Sequence, residues 1–400
     1  MSTAATCRRF VVAAALAACV TGCSTSSLRQ ARSEFYSGRF DQAVKTLTSG
    51  DVAPQDKVLV LMERGTIRQA KGDYAGSSRD FIDAATEIER LQTYSVSKGG
   101  ASMVVNDSVQ SYKGAHFERA LLHALTANNH LAQGNWENAA VEARRIIETM
   151  LPEARGDYPE DAYSRYMAGF CLEMTGDPSN AALQYRLADK LCSAATIDER
   201  TGWLDARPPV IAATNAVEEV PPPPTPPGRP KPAAELACFV MLGRATSGTQ
   251  AYYGQQSYAY SPGLYAEISA NGRVLGRSFP LADTTSLASL TRQKDALRKT
   301  AKTVVRVATK ETIAHELERK EPLLGFLARV ILIGLLERPD VRCWETLPRW
   351  LEVARVPCPP DLKEFDVTLK TAYGATVKTL HVKQPLQRNG PVFVSFCRDL

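Results

Sequence analysis

Four short segments in the first half of the chain repeat one pattern of glycine, polar and small residues. They read GRFDQA from Gly38, GDYAGS from Gly72, GNWENA from Gly134 and GDPSNA from Gly176. Small residues also stand seven positions before and five positions after each glycine. A glycine can adopt the left-handed conformation that ends a helix, and small residues allow two helices to approach closely. The pattern therefore predicts a series of helical hairpins over residues 28–200.

The spacing of these glycines indicates the kind of repeat. Gly38 and Gly72 are 34 residues apart, which is the period of tetratricopeptide (TPR) repeats. Gly72 and Gly134 are 62 residues apart, and the surplus falls in residues 92–115, which are rich in serine, glycine and asparagine. We expect a loop insertion there. Long loops often carry function, and the alternative is an insertion that the fold simply tolerates.

The second half of the chain changes to the two-residue alternation of β-strands at Glu235. Leu236–Leu242 is an apolar strand, and Asn271 with Gly272 forms the sequence signal of a type I′ hairpin turn. The other expected elements are strands in WLEVARV, DVTLKTAYGATVKTLHV and Val392–Cys397, and helices over 290–320 and 322–337.

Prolines separate the two halves. They crowd residues 207–234, where a stiff polyproline II linker is the expected conformation. The predicted fold class is therefore α+β with two domains. TPR-like α-helical hairpin repeats form the N-terminal domain, and the proline-rich linker follows. The C-terminal domain, residues 235–400, is a mainly antiparallel sheet covered by a helical pair.

The N-terminus has the three parts of an export signal. Arg8 and Arg9 precede the apolar run Phe10–Val20, which is far shorter than the ~20 residues that span a bilayer. The Val-Thr-Gly-Cys that follows resembles a lipobox, where small residues precede a cysteine that receives diacylglycerol. We expect a lipoprotein signal peptide at residues 1–22 and lipidation of Cys23. The alternatives are an ordinary secretion signal and a membrane anchor.

The residues after the signal refine the location and the charge. Residues 23–27 would form the lipidated tether, and Ser24 favours the outer membrane by the sorting rule that this sequence resembles. We expect a cell-envelope protein, anchored in the outer membrane and facing the periplasm. Loss of the two signal arginines lowers the formal net charge from +5 to +3. Such a small charge argues against a nucleic-acid partner.

The cysteines and histidines offer little sign of a metal or cofactor site. Six cysteines remain after Cys23, so either three disulfides or buried free thiols are possible. We expect no bond between Cys171 and Cys192, because helical geometry offsets them by more than ~10 Å. The three histidines at 116, 123 and 130 lie ~10.5 Å apart along a helix, too far to share one zinc ion. No metal and no cofactor is predicted.

A TPR-like array usually binds a peptide or protein in its concave groove. We expect the first helix of each hairpin to line this groove, with Tyr163, Tyr166 and Phe170 suited to holding a bound segment. The alternative is that these aromatic residues pack against the neighbouring domain. By the resemblance to TPR arrays, the full set of groove candidates is Phe35, Tyr36, Met62, Thr66, Gln69, Asn128, Tyr163, Tyr166 and Phe170.

The sequence holds no recognisable catalytic motif. It has no G-x-S-x-G, no H-E-x-x-H and no phosphate-binding loop, so we predict no enzyme, with a cryptic hydrolase as a remote alternative. The helix expected over 290–320 is basic in its first part. It either faces solvent or binds anionic lipid, envelope glycan or peptidoglycan.

Two segments resemble a known family. Glu337–Asp361 contains D-x-R-x-W-x-x-L-P, formed by Asp340, Arg342, Trp344, Leu347 and Pro348. Together with Ser111–Arg145 and the lipobox, this segment is similar to an uncharacterised family of TPR-containing bacterial lipoproteins. The resemblance implies the architecture and carries no activity. The expected function is a lipid-anchored, non-catalytic scaffold that binds envelope proteins through its groove, and the competing one is a cell-wall or envelope-glycan binding lipoprotein.

Overall fold

The structure of the protein is a computed structural model. It describes residues 26–50, 52–97, 111–207, 232–245, 264–296, 340–383 and 387–399. The expected signal peptide, Cys23, most of the linker and the helix over 322–337 lie outside these residues.

The described residues up to 191 are helical. Gly72, between the third and fourth helices, has a φ of +90° and ends the third helix in the left-handed conformation. The helices are α1 (26–36), α2 (Phe40–Ser49), α3 (Lys57–Lys71), α4 (Tyr74–Ser97), α5 (His116–Ala132), α6 (Trp136–Thr149), α7 (Pro152–Arg155), α8 (Ala162–Met174) and α9 (Pro178–Leu191), with a 3₁₀ turn at Pro54–Asp56. Helix α3 packs on α4, α5 on α6 and α8 on α9, which confirms three of the four predicted helical pairs.

The small residues before each turn lie where two helices touch. A Cβ atom built on Gly65 would stand 2.4 Å from Cε1 of Phe81, and one on Gly169 would stand 2.9 Å from Cδ1 of Tyr185. Only a glycine permits such an approach without displacing the ring. The sequence pattern of glycine in one helix and a large residue in the next thus reflects direct packing.

The second half forms two packed sheets. The strands are β1 (Ala195–Ile197), β2 (Leu204–Ala206), β3 (Glu235–Leu242), β4 (Tyr265–Ala270), β5 (Arg273–Arg277), β6 (Phe279–Asp283), β7 (Trp350–Pro357), β8 (Glu364–Lys370), β9 (Thr376–Lys383), β10 (Gln387–Asn389) and β11 (Val392–Arg398). A five-stranded sheet has the strand order β10-β11-β3-β7-β6, and a four-stranded sheet has the order β5-β4-β8-β9. A small hairpin of β1 and β2 precedes the two sheets.

Strand pairing follows the prediction with one difference. The pairs are antiparallel, as expected, except that β11 runs parallel to β3. Asn271 and Gly272 have φ values of 50° and 73°, which confirms the predicted turn between β4 and β5. The chain is therefore α+β, with a helical N-terminal half and β-sheets in the C-terminal half.

The molecule has three layers, because both faces of the five-stranded sheet are covered. Ala237, Phe239 and Met241 of β3 belong to the core shared with the helices. Leu236, Cys238, Val240 and Leu242 belong to a second core shared with the four-stranded sheet. All eight residues of β3 are buried. This double burial explains why the strand reads as a continuous apolar run.

Two predicted boundaries were wrong. Helix α4 continues to Ser97, so the first part of the predicted insertion at 92–115 is helical, and residues 98–110 lie outside the described part. The helix expected from residue 290 begins at 284; it is described as far as 296, and the rest lies outside. No helix in the described ranges has both the length and the apolar character needed to cross a bilayer.

The six cysteines of the described residues are free thiols, and four of them are buried. Sγ of Cys171 lies 3.8 Å from Sδ of Met167, while Sγ of Cys192 lies 3.8 Å from the carbonyl oxygen of Pro280. The two sulfurs of Cys238 and Cys397 stand 3.8 Å apart on neighbouring strands. The sequence left disulfides and free thiols as alternatives, and the structure has free thiols at these six cysteines.

Candidate functional site

The first helices of the four hairpins form one inner surface, which we call the groove. All nine groove candidates lie on α1, α3, α5 and α8, so the structure brings the predicted set together. Eight of them are buried, and Tyr36 is partly buried. The covering groups come from the chain's own second half. The predicted packing against the neighbouring domain is thus the arrangement in this structure, and the groove is not open to another molecule.

Residues 340–348, which we call the Trp344 segment, occupy one end of the groove. The side chain of Trp344 is 1% exposed. Its ring meets Phe81 edge to face, with 5.6 Å between the centroids, and its Nε1 donates a hydrogen bond of 2.9 Å to Oγ1 of Thr66. A buried indole is stable only when its N–H has such an acceptor. The groove therefore provides a fitted pocket for this tryptophan.

Two buried carboxylates bind the backbone N–H groups of the Trp344 segment. Glu118 accepts a bond of 2.8 Å from the N–H of Trp344. Glu63 accepts bonds of 3.0 Å from Glu345 and 3.2 Å from Thr346. Since each acceptor is a carboxylate, these bonds are stronger than neutral ones.

The carbonyl groups of the same segment are bound from α1. Arg32 Nη2 donates a bond of 3.0 Å to the carbonyl oxygen of Cys343, and the Tyr36 hydroxyl donates one of 2.7 Å to that of Glu345. Groove side chains thus bind both N–H and carbonyl groups of this segment, whose backbone turns at Glu345 and Thr346. This is the way in which a groove recognises a peptide, because every peptide carries these backbone groups.

Glu63 and Arg32 form an ion pair in the groove. Glu63 is fully buried, and its Oε1 lies 2.6 Å from Nη2 of Arg32. Arg32 also reaches Oε1 of Glu345 at 3.1 Å. Burial by itself would lower the pKa of Arg32, but the two carboxylates outweigh it and raise the pKa. Removing one member of such a pair would leave the other charge buried alone.

Glu118 is buried, and no cation of the described residues forms a salt bridge with it. Burial raises its pKa above the usual range for a glutamate, although N–H groups of Trp344 and Ala115 and the hydroxyl of Tyr112 hydrogen-bond to it. The Tyr112 hydroxyl donates to Oε2 of Glu118, so a residue two positions after the undescribed 98–110 also contributes to the groove.

The structure gives each residue of the D-x-R-x-W-x-x-L-P pattern a contact. Asp340 holds the guanidinium of Arg342 with bonds of 2.9 and 2.7 Å, and Arg342 Nη1 lies 3.0 Å from Oδ1 of Asp56 in the helical half. Leu347 is buried in the shared core, and the carbonyl oxygen of Pro348 accepts a bond of 2.8 Å from Thr284. The pattern describes a segment that is shaped to lie against the helices.

A second contact joins the halves at the other end of the groove, and we call it the Phe239 contact. The Phe239 ring on β3 meets Tyr163, Tyr166 and Phe170 edge to face, with centroid distances of 6.3, 6.4 and 5.3 Å. It also stacks on Phe396 of β11 at 5.3 Å. The three aromatic groove candidates therefore hold a strand of the chain's own sheet.

Arg355 supports the Phe239 contact from β7. Its side chain is 1% exposed, and Nη2 lies 2.5 Å from Oε1 of Glu235 and 2.8 Å from Oε1 of Glu173 on α8. Burial alone would lower the pKa of Arg355, but Glu173 and the hydroxyl of Tyr185 outweigh it and raise the pKa. The ion pair with Glu173 joins the helical half to the sheet.

The residues that sequence reasoning missed are the charged ones. Glu63 stands in VLVLMERG and Glu118 in HFERALLHA, where apolar residues predominate and an arginine directly follows each glutamate. A carboxylate within an apolar helical run is a signal of a buried, partnered charge. That signal was present in the sequence, but nothing in it pointed to residues 343–346 as the partner.

The three histidines of the expected helical stripe serve as packing groups. His116 stacks on Tyr158, with 5.7 Å between the rings, His123 Nδ1 lies 2.7 Å from Oε2 of Glu142, and His130 is buried. Across the described ranges, no three histidine, cysteine or acidic side chains are grouped closely enough to hold a metal ion. In the described part of the basic helix, Lys294 lies 3.4 Å from Asp157.

A comparison with protein-family models and with the curated proteins finds no match for this chain. The groove and its contents must therefore be interpreted from their own chemistry. They consist of an ion pair, hydrogen bonds to a peptide backbone and a pocket for one indole, which together are suited to non-covalent recognition of a peptide segment.

Proposed function

We propose that this protein is a lipid-anchored lipoprotein of the bacterial envelope that serves as a non-catalytic scaffold for another envelope protein. In this proposal the helical half is a TPR-like array, and its groove holds the Trp344 segment of the same chain. The two halves then act as one rigid platform. The lipid on Cys23 keeps the platform at the membrane, and a partner protein binds its outer surface.

The backbone contacts of the Trp344 segment carry this proposal. Glu63 and Glu118 bind successive N–H groups, and Arg32 and Tyr36 bind carbonyl groups of the same segment. These are the interactions of peptide recognition, and here the recognised peptide belongs to the chain itself. A groove used in this way stabilises a platform, which fits a scaffold better than an enzyme.

The anchor is tested by fractionation of cells that produce the full chain. We expect the wild type in the membrane fraction, where metabolically supplied palmitate labels it. Cys23→Ala is expected to lose the label and to leave the membrane. A Cys23→Ala variant that stays in the membrane and keeps the label would overturn the lipid anchor.

The scaffold is tested by cross-linking in intact cells, followed by purification from detergent-solubilised envelopes. We expect one specific envelope protein to be captured by the wild type and equally by Arg342→Ala, which loosens the Trp344 segment. Stronger capture by Arg342→Ala would instead assign the partner to the groove. Absence of any specific partner, together with sedimentation of the purified protein with peptidoglycan, would favour the glycan-binding function.

A further inference from the structure

Strand β9 forms an outer edge of the four-stranded sheet. It is the last strand in the order β5-β4-β8-β9, and β8 is the only described strand that pairs with it. We call the side of residues 376–383 that faces away from β8 the β9 edge. An eight-residue edge strand presents a row of backbone N–H and carbonyl groups, which is a template for pairing with another chain.

The other sheet edges of the described residues are protected. β5 lies against β7, where a Cβ atom built on Gly276 would stand 2.5 Å from Cγ1 of Val356. β10 has three residues, and Nδ2 of Asn389 donates a bond of 2.7 Å to the carbonyl oxygen of Met174. β6 contains Pro280 and has an irregular register with β7. β9 has no proline, and its register with β8 shifts only near its beginning.

The side chains of β9 are exposed over most of its length. Val377 is 54% exposed, and Tyr373 in the preceding turn is 99% exposed. Leu380 and Val382 are partly buried and pack on the core between the two sheets. A strand placed beside β9 would cover Val377 and add apolar contacts next to this core, which would favour its binding.

The charge of β9 indicates what kind of strand fits there. Its sequence TVKTLHVK has two lysines and no acidic residue. His381 is already paired with Asp366 on β8, at 2.5 Å, and Lys383 stands opposite Glu364. Opposite charges at facing positions of neighbouring strands are stabilising, and like charges are destabilising. Two copies of β9 would bring together two lysines from each strand, whereas an acidic strand would place carboxylates beside Lys378 and Lys383.

We infer that the β9 edge binds an acidic, extended segment of the envelope partner and adds it to the four-stranded sheet as a fifth strand. This inference rests on the proposed scaffold function and names the surface that the partner uses. Backbone hydrogen bonds provide the affinity, and acidic side chains beside Lys378 and Lys383 select the segment. Tyr373 and Val377 contact its apolar side chains. The groove takes no part, so the Trp344 segment stays in place.

Hydrogen exchange of the mature, detergent-purified protein tests this edge with three synthetic peptides. The first alternates valine and glutamate along the length of a strand. The second has lysine in place of glutamate, and the third keeps the glutamates but has proline in place of its central valines. The first peptide, at about ten times its dissociation constant, should slow exchange of amide protons on the β9 edge roughly tenfold. The other two should not slow it, because lysine repels β9 and proline cannot continue the pairing.

Substitutions assign the selection to the two lysines. Lys378→Glu combined with Lys383→Glu should weaken binding of the glutamate peptide by about tenfold and allow the lysine peptide to bind. Lys378→Arg combined with Lys383→Arg keeps both charges and should behave as the wild type. Lys45→Glu combined with Lys190→Glu, at exposed lysines of α2 and α9, makes the same change in net charge and should alter neither affinity. Capture of the partner in cross-linked cells should follow the same order.

Three results would overturn the inference. One is that the glutamate peptide at millimolar concentration does not slow exchange on the β9 edge. Another is that the proline peptide slows it equally, which would mean attraction of charge without strand pairing. The third is that one specific partner is captured equally by the wild type and the double glutamate variant, which would reject this surface and leave the scaffold function standing. Absence of any specific partner would instead reject the scaffold function itself.

Discussion

The two contacts between the halves of this molecule rely on different physics. In the first, which we call the Trp344 contact, the groove binds the Trp344 segment largely through the backbone of the segment, with charged side chains as the hydrogen-bonding partners. The Phe239 contact binds a regular strand, whose backbone is already paired within the sheet, through aromatic rings and one buried ion pair. The segment that lacks sheet partners is therefore the one that receives polar partners from the helices.

This difference has an energetic consequence. A backbone N–H that is buried without a partner is costly, so the Trp344 segment can stay in the groove only while Glu63 and Glu118 accept its hydrogen bonds. Phe239 depends instead on contact area and ring geometry, which degrade gradually when a side chain is shortened. We therefore expect substitutions in the Trp344 contact to be more damaging than those in the Phe239 contact.

The largest effect is expected from Trp344→Ala. Removal of a fully buried indole leaves a cavity and also leaves Thr66 without its hydrogen-bond donor, so the free energy of unfolding should fall by about 4 kcal/mol. Denaturant unfolding measures this loss. Trp136→Ala, at a partly buried tryptophan on α6, is the control and should lose clearly less. Equal losses would mean that the groove gives Trp344 no special stabilisation.

Glu63→Gln is expected to be the next most damaging change. It leaves the Arg32 guanidinium with only the more exposed Glu345 and weakens two bonds to the Trp344 segment, so we expect a loss of about 3 kcal/mol in the free energy of unfolding. Glu137→Gln, at an exposed position on α6, should change stability by less than about 0.5 kcal/mol. Chemical denaturation of both variants checks the difference. If Glu63→Gln lowers the free energy of unfolding no more than Glu137→Gln does, the prediction is contradicted.

Phe239→Leu should have a smaller effect, near 2 kcal/mol, because leucine fills much of the same volume. The aromatic part of this loss can be isolated in a double-mutant cycle with Phe170→Leu. We expect a coupling energy of about 1 kcal/mol for the edge-to-face pair. A coupling energy near zero would show that only the buried apolar area stabilises the Phe239 contact. The comparison with the Trp344 contact would then be a comparison of buried areas.

The smallest expected change is the loss of stability per pH unit that arises from a residue outside both contacts. Burial raises the pKa of Glu352 on β7 to about 8. Between pH 4.5 and 8 the folded protein keeps a proton that the unfolded chain releases. Stability should therefore fall as pH rises through this range, by at most about 1.4 kcal/mol per pH unit.

Glu352→Gln should remove this pH dependence, because the amide does not titrate. Urea midpoints measured from pH 4.5 to 9 for the wild type and the variant check it. Glu267→Gln, on the outer face of the four-stranded sheet, should leave the wild-type slope unchanged. A wild-type midpoint that does not fall with pH relative to Glu352→Gln would show that Glu352 ionises normally.

The helical hairpins could be predicted from the sequence because their signals are local. Gly65 and Phe81 meet across one turn, so the spacing of small and large residues within a few turns already carries the contact. The hairpin turn at Asn271 and Gly272 is local in the same sense. Local patterns predicted the class of fold, while the resemblance to TPR arrays supplied the set of groove candidates.

The content of the groove could not be predicted from such patterns. Thr66 and Trp344 are 278 residues apart, and a pairing at that distance leaves no periodic trace in a single sequence. Arg342 and Trp344 were noticed as a motif, but their partners Asp56 and Thr66 look like ordinary helix residues. The nine candidates were correctly grouped as neighbours, while the segment that covers them required coordinates.

The parallel pairing of β11 with β3 affects how the molecule can assemble. Cys238 and Cys397 are neighbours in space although 159 residues separate them along the chain. At translation rates of about 5–20 residues per second, β3 must wait roughly 8–30 s before the strand beside it has been synthesised. During that interval an eight-residue apolar strand has an unpaired edge. An incomplete chain of this protein should therefore expose an aggregation-prone strand edge until its last strand is available.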